Sequence, residues 1–214
     1  MKPLAILGGT FDPVHIGHLC VAWEASELLD AEVQLVPASV PPHRPPPIAS
    51  VEQRVAMLRV ALAGQDRLGL DLRELERAGP SYTVDTLAEL RAEYGARPLV
   101  LLMGADAFAG LTSWHRWPEL FDLAHVGVLS RPGDPPAWPE ALRAAVDGRR
   151  VETVDALHTR SAGSVVLLDV TPLAISATRI RDLLAGGRLP RYLLPDGLFG
   201  EPELLAAYRS SRRG

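Results

Sequence analysis

The sequence is short of cysteine, of long apolar runs and of excess positive charge, and each shortage excludes something. With one cysteine, Cys20, in 214 residues there is no internal disulfide. A lone thiol in an apolar run reads as a small core residue and fits a reducing cytoplasm. No uncharged stretch approaches the ~20 apolar residues of a bilayer crossing, and Met1-Lys2-Pro3 leads straight into strand-like Leu4-Ala5-Ile6-Leu7. Neither a membrane span nor an export signal is expected. Lys and Arg number 22 against 26 Asp and Glu, a formal net charge of −4. That balance argues against a surface that neutralises many nucleic-acid phosphates, so no nucleic-acid partner is expected and any anion site is local. The dinucleotide fingerprint G-x-G-x-x-G and the Walker loop are both missing.

Apolar residues make up 47% of the chain, enough for a core, and the length suits one domain over residues 1–214. Leu4 to Leu7, a turn at Gly8-Gly9, a helical pattern from Ile16 to Leu29 and an apolar run from Val33 to Val36 form a βαβ unit with parallel strands. Prolines crowd residues 37 to 47 around His43 and Arg44, which predicts an ordered loop leaving a strand end. Ser50 caps a helix to about Ala63, with Val51, Val55, Leu58 and Leu62 on one face. Leu68 to Leu75 alternates like a half-exposed or edge strand. A helix from about Thr83 to Tyr94 stops at Gly95. Pro98 to Met103 is the strongest buried-strand signal, and it ends at Gly104-Ala105-Asp106, a second turn suited to a ligand.

Short helices near Phe108 and from Pro118 to Leu123 precede a strand at Val126 to Leu129, a Pro/Gly-rich loop at 132 to 139 and a helix at 139 to 146. A strand from Val165 to Val170 and a helix from Ala177 to Ala185 follow, and the tail reads as helical. The sum is α/β: a doubly wound, Rossmann-like parallel sheet with helices on both faces and a C-terminal helical portion from about residue 175. Its ligand crevice lies outside the carboxyl ends of the strands.

Gly8-Gly9-Thr10-Phe11-Asp12-Pro13-Val14-His15-Ile16-Gly17-His18 sits at that crevice. Paired glycines allow a sharp turn and close approach to a phosphate. His15 and His18, three apart in a first helical turn, point the same way, and Gly17 between them leaves room for something flat. Zinc is a weaker reading, because only Asp12 lies near as a third ligand. A second unusual helix start is Ile175-Ser176-Ala177-Thr178-Arg179-Ile180-Arg181. Ser176 is a good N-cap, but Arg179 and Arg181 oppose the helix dipole where acidic residues would favour it. Hydroxyls, guanidinium groups and free backbone N–H groups together suit a polyphosphate, with Thr178 and Arg181 on one face.

The first string resembles the signature of the nucleotidyltransferase superfamily related to class I aminoacyl-tRNA synthetases, whose H-x-G-H stands here as His15-Ile16-Gly17-His18. The second resembles the I-S-x-T-x-x-R of its bacterial members. No Lys-Met-Ser-Lys-Ser type loop or anticodon-binding region accompanies them. Over nearly the whole chain the resemblance is to bacterial nicotinate-nucleotide adenylyltransferases, through Val40-Pro41-Pro42-His43-Arg44, Pro80-Ser81-Tyr82-Thr83, Gly104-Ala105-Asp106, Trp114 and Leu193-Leu194-Pro195. The tail after Pro195 departs from the family's single helix.

This resemblance implies adenylyl transfer from ATP to nicotinate mononucleotide, a step of NAD biosynthesis, with Mg²⁺ carried on the ATP phosphates. It implies catalytic His15, His18 and Arg181. Gly8, Gly9, Thr10, Phe11, Asp106, Ile175, Ser176 and Thr178 would join them around ATP, with Asp106 on a ribose hydroxyl. Trp114 would stack on the pyridinium ring, backbone N–H groups near Tyr82 and Thr83 would take its carboxylate, and His43 and Arg44 would reach toward phosphate. A pantetheine-phosphate adenylyltransferase, a cytidylyltransferase and a regulatory module without catalysis are the rival readings.

Overall fold

The structure, a computed structural model, describes residues 1–39, 46–77, 79–130 and 137–209. Its centre is a sheet of six strands: β1 (Leu4–Gly9), β2 (Glu32–Pro37), β3 (Leu68–Leu70), β4 (Leu99–Gly104), β5 (His125–Ser130) and β6 (Val165–Asp169). They stand in the order β3-β2-β1-β4-β5-β6, and every pairing is parallel. The strand order reverses between β1 and β4, the point where a doubly wound sheet opens a crevice at its carboxyl edge. Gly8-Gly9 and Gly104 end those two strands.

Alternation along the strands sends successive side chains to opposite faces, and both faces are apolar, as a sheet covered on two sides requires. Ala5, Leu7, Val33, Leu35, Val100, Leu102, Val166 and Leu168 face one core. Over it lie α1 (Ile16–Leu28), α2 (Val51–Leu62) and, later in the chain, the helix Ala177–Ala185. Leu4, Ile6, Leu99, Leu101, Met103, Val126 and Val128 face the other core. The elements there include the helices Thr83–Tyr94, Ala105–Ala109, Leu120–Leu123 and Glu140–Val146. With the short α3 (Arg73–Glu76) between, these four are α4 to α7, Ala177–Ala185 is α8, and a last turn, Ala206–Arg209, is α9.

Three local expectations need correction. The pattern at Leu68 to Leu75 yields a strand of only three residues, because the Asp71 carboxylate accepts the Arg73 N–H (3.0 Å) and turns the chain into α3. The buried stripe of α2 is Arg54, Val55, Met57, Leu58 and Ala61, while Val51 and Leu62 are half-buried. Cys20 is half-buried on α1, its Sγ 3.5 Å from Glu24 Oε1, and not a core residue. The tail beyond Pro195 consists of two 3-10 turns, Asp196–Phe199 and Pro202–Leu205, before α9. It folds against α2, where Gly197 lies so close that a Cβ would meet Val60 Cγ1 at 2.8 Å.

Candidate active site

The turn after β1 is built around Phe11, a non-glycine residue at φ 49°. Such a conformation is strained and persists when neighbours hold it. Here the ring fills the space beside Gly9, where a Cβ would meet Phe11 Cζ at 2.9 Å, and its edge meets the His18 ring at a centroid distance of 5.0 Å. Gly9 is therefore glycine for the sake of Phe11. Gly8 has nothing within 4 Å of a Cβ position and leaves the crevice side of the turn open.

His15 is the N-cap of α1, and its ring stacks on His18 at 3.6 Å and 17°. The space at Gly17 is not vacant for a flat ligand: a Cβ there would meet His15 Nδ1 at 3.1 Å and Ile175 Cβ at 3.5 Å. The small residue lets the imidazole pair and the start of α8 close on one another. His18 Nδ1 accepts the backbone N–H of His15 (3.3 Å), so in the neutral ring the hydrogen sits on Nε2 as a donor. His15 Nδ1 is buried and finds no partner among the described residues.

Burial pushes the His15 imidazole down from 6.5 to about 4, and burial with the adjacent His15 pushes His18 down to about 3. Both rings are thus neutral N–H donors at pH 7. The unfolded chain takes up these protons below 6.5 while the folded chain resists. The pair's contribution is therefore full above pH 6.5 and is lost as pH falls through about 4. Melting temperatures between pH 7 and 4 should accordingly decline less in a His15→Gln, His18→Gln variant than in the parent. An equally steep decline would show that the histidines do not carry it.

At the second helix start, Ser176 Oγ accepts the Arg179 N–H (3.2 Å), the N-cap expected from sequence. Arg181 Nη2 donates to Thr178 Oγ1 (3.1 Å), and its Nη1 donates to the Asp12 carbonyl oxygen (2.8 Å) inside the first string. The two motifs, remote in sequence, are in contact. Arg181 Nη1 also stands 3.9 Å from Asp12 Oδ2.

The remaining candidates lie across the crevice. Asp106 is exposed in the first turn of α5, just past β4. Tyr82 is the N-cap of α4 with no side-chain cap, and Thr83 opens that helix. Trp114 is half-buried against the core under α4. Among the described residues no hydrogen bond links these four to either phosphate motif. His43 and Arg44 lie outside the described residues.

Four participants escape the sequence reading. His115, next to Trp114, packs its ring on Tyr82 at 4.3 Å. Asp12, in the string but without an assigned task, accepts the N–H groups of Ile48 (2.9 Å) and Ala49 (3.0 Å). Arg54, 1% exposed, donates to the carbonyl oxygens of Thr10 (2.8 Å), Ala38 (2.9 Å) and Ser39 (3.3 Å). Tyr208 donates to Asp12 Oδ1 (2.8 Å). A charged residue inside the 54, 57, 58, 61 stripe of α2 is the one signal in the sequence; the other contacts are long-range.

The profile of the family described as cytidylyltransferase-like matches residues 6–183. An Aeromonas salmonicida protein named "Probable nicotinate-nucleotide adenylyltransferase" is 49% identical over 90% of this chain and 91% of its own length. The chain belongs to the nicotinate-nucleotide adenylyltransferase family. A second member, from Pseudomonas putida and named in the same words, is 47% identical over 98% of this chain and 96% of its own. Among solved structures, the Plasmodium falciparum nicotinic acid mononucleotide adenylyltransferase complexed with NaAD has a TM-score of 0.70 at 16% identity. The match covers 98% of this chain and 97% of that one, and it shows that the family's fold is shared.

Proposed function

We propose that this adenylyltransferase-family chain transfers the adenylyl group of ATP to nicotinate mononucleotide, releasing pyrophosphate and forming nicotinate adenine dinucleotide, in NAD biosynthesis. The observation that carries the reading is the contact between Arg181 and the Asp12 carbonyl oxygen, which joins two anion-suited helix starts beside a pair of neutral imidazoles.

A phosphate oxygen of the mononucleotide bonds to the α-phosphorus of ATP, and the bond from that phosphorus to the α,β-bridging oxygen breaks. Because the attacking oxygen is already anionic, no general base is required. Catalysis rests on alignment and on charge stabilisation at the crowded phosphorus. His18 Nε2–H, with His15 beside it, donates to the α- and β-phosphate oxygens, aided by Thr10 and the amides near Phe11. Ser176, Thr178 and Arg181 hold the departing end, with Ile175 against the nucleotide and Asp106 on a ribose hydroxyl.

The opening of α4 is uncapped by its own side chain, so its first N–H groups are available to the nicotinate carboxylate. The Trp114 face suits a pyridinium ring, and His43 and Arg44 are assigned to the phosphate side. Among the described residues no group of three or more His, Cys, Asp or Glu side chains could hold a metal ion. The proposed Mg²⁺ ion is carried on the ATP phosphates, whose departing end Ser176, Thr178 and Arg181 would hold. Bound there, it would neutralise charge on the leaving pyrophosphate.

No helix among the described residues is long and apolar enough to cross a membrane. Pyrophosphate release from ATP, measured with nicotinate mononucleotide, nicotinamide mononucleotide and phosphopantetheine as separate acceptors, tests the proposal. Release should be fastest with the first. Fastest release with phosphopantetheine, or none with any acceptor, would overturn it.

A further inference from the structure

The C-terminal tail reaches the reaction site through a buried phenol. Tyr208 on α9 has no exposed surface, and its hydroxyl donates to Asp12 Oδ1 at 2.8 Å. The same carboxylate, 6% exposed, accepts the Ala49 N–H on Oδ1 and the Ile48 N–H on Oδ2. Three donors thus claim its oxygens. Arg181 does not form a close ion pair with Asp12: its Nη1 is 3.9 Å from Oδ2, which the Ile48 N–H already occupies, but 2.8 Å from the backbone carbonyl oxygen. A guanidinium resting on a neutral carbonyl keeps its charge for an incoming anion, whereas a bidentate carboxylate partner would neutralise it.

We infer that Tyr208 is a positioning residue for ATP: its bond to Asp12 Oδ1, with those of the Ile48 and Ala49 N–H groups, fixes the carboxylate so that Oδ2 stays 3.9 Å from Arg181 and the guanidinium is left for the polyphosphate. The inference rests on the proposed role of Arg181 in binding ATP. Removing the phenol hydroxyl takes away one of the three donors that fix the carboxylate and lets Oδ2, already 3.9 Å from Arg181 Nη1, close on the guanidinium. The loss of one hydrogen bond of ordinary strength corresponds to about a 3–10-fold change in an equilibrium constant.

The test uses the full chain with Tyr208→Phe, Arg181→Ala, the double variant and Leu205→Ala, a neighbouring packing control. Leu205 is 1% exposed in the turn before α9. ATP affinity is measured by titration calorimetry without acceptor, and KM for each substrate is measured separately. Tyr208→Phe should weaken ATP about 3–10-fold with little change in KM for the mononucleotide. The double variant should bind ATP no worse than Arg181→Ala alone, the signature of two residues acting through one contact. Leu205→Ala should lower the melting temperature and leave ATP affinity in place.

Unchanged ATP affinity in Tyr208→Phe, a full additive loss in the double variant, or an equal loss in Leu205→Ala would each overturn the inference. A trimethylamine oxide buffer keeps a marginal variant folded for the titration. Because ATP binding is read without acceptor, a parent protein that binds ATP but ignores nicotinate mononucleotide would refute the proposed reaction and leave this inference standing.

Discussion

Alanine at position 18 is expected to lower kcat by about 10²–10³, the usual loss when one preorganised donor to a developing charge is removed. His18 is the ring whose tautomer is fixed, since its Nδ1 already accepts the His15 N–H and its Nε2–H is left for a phosphate oxygen. The fold should survive. The ring is half-buried, and only one hydrogen bond, from the His15 N–H, is lost with it. Turnover by pyrophosphate release, read beside the melting temperature, separates chemistry from folding. A folded His18→Ala protein with parental turnover would contradict the assignment.

The largest expected loss of stability comes from a residue that need not touch substrate. Arg54→Ala should cost about 3–5 kcal/mol, the range for truncating a large buried side chain and leaving its hydrogen-bond partners unpaired. Its guanidinium binds three carbonyl oxygens from two loops, at Thr10 after β1 and at Ala38 and Ser39 after β2. Truncation leaves those acceptors without their donor and opens a cavity under α2. Burial pushes the Arg54 pKa down, and the nearby Asp12 charge opposes that shift. Urea denaturation with an unchanged slope measures the loss through the midpoint. A cost below about 1 kcal/mol would mean that water substitutes readily for the guanidinium.

Features written in neighbouring residues were the legible ones. The strand β1, the Gly8-Gly9 turn, the shared direction of His15 and His18, and the Ser176 cap follow from spacing within a few positions. They placed both halves of the candidate site. Asp71 shows how a single side chain defeats a periodic pattern, ending β3 early by bonding to the Arg73 backbone. Gly17 shows a different limit. Its small size was readable, but what occupies the space comes from Ile175, far along the chain. Arg54, Asp12 and Tyr208 act only through such distant pairings, and no local rule predicts which carbonyl or carboxylate a remote side chain will meet.

The bond between Asp12 and Tyr208 spans 196 positions. During synthesis on the ribosome the glycine turn and the imidazole pair emerge early, yet the partners that complete them arrive only after β6, α8 and the closing turns have been made. Loop-closure entropy makes such remote pairings late events. The cradle around Asp12 is therefore complete only once Tyr208 has been made and packed.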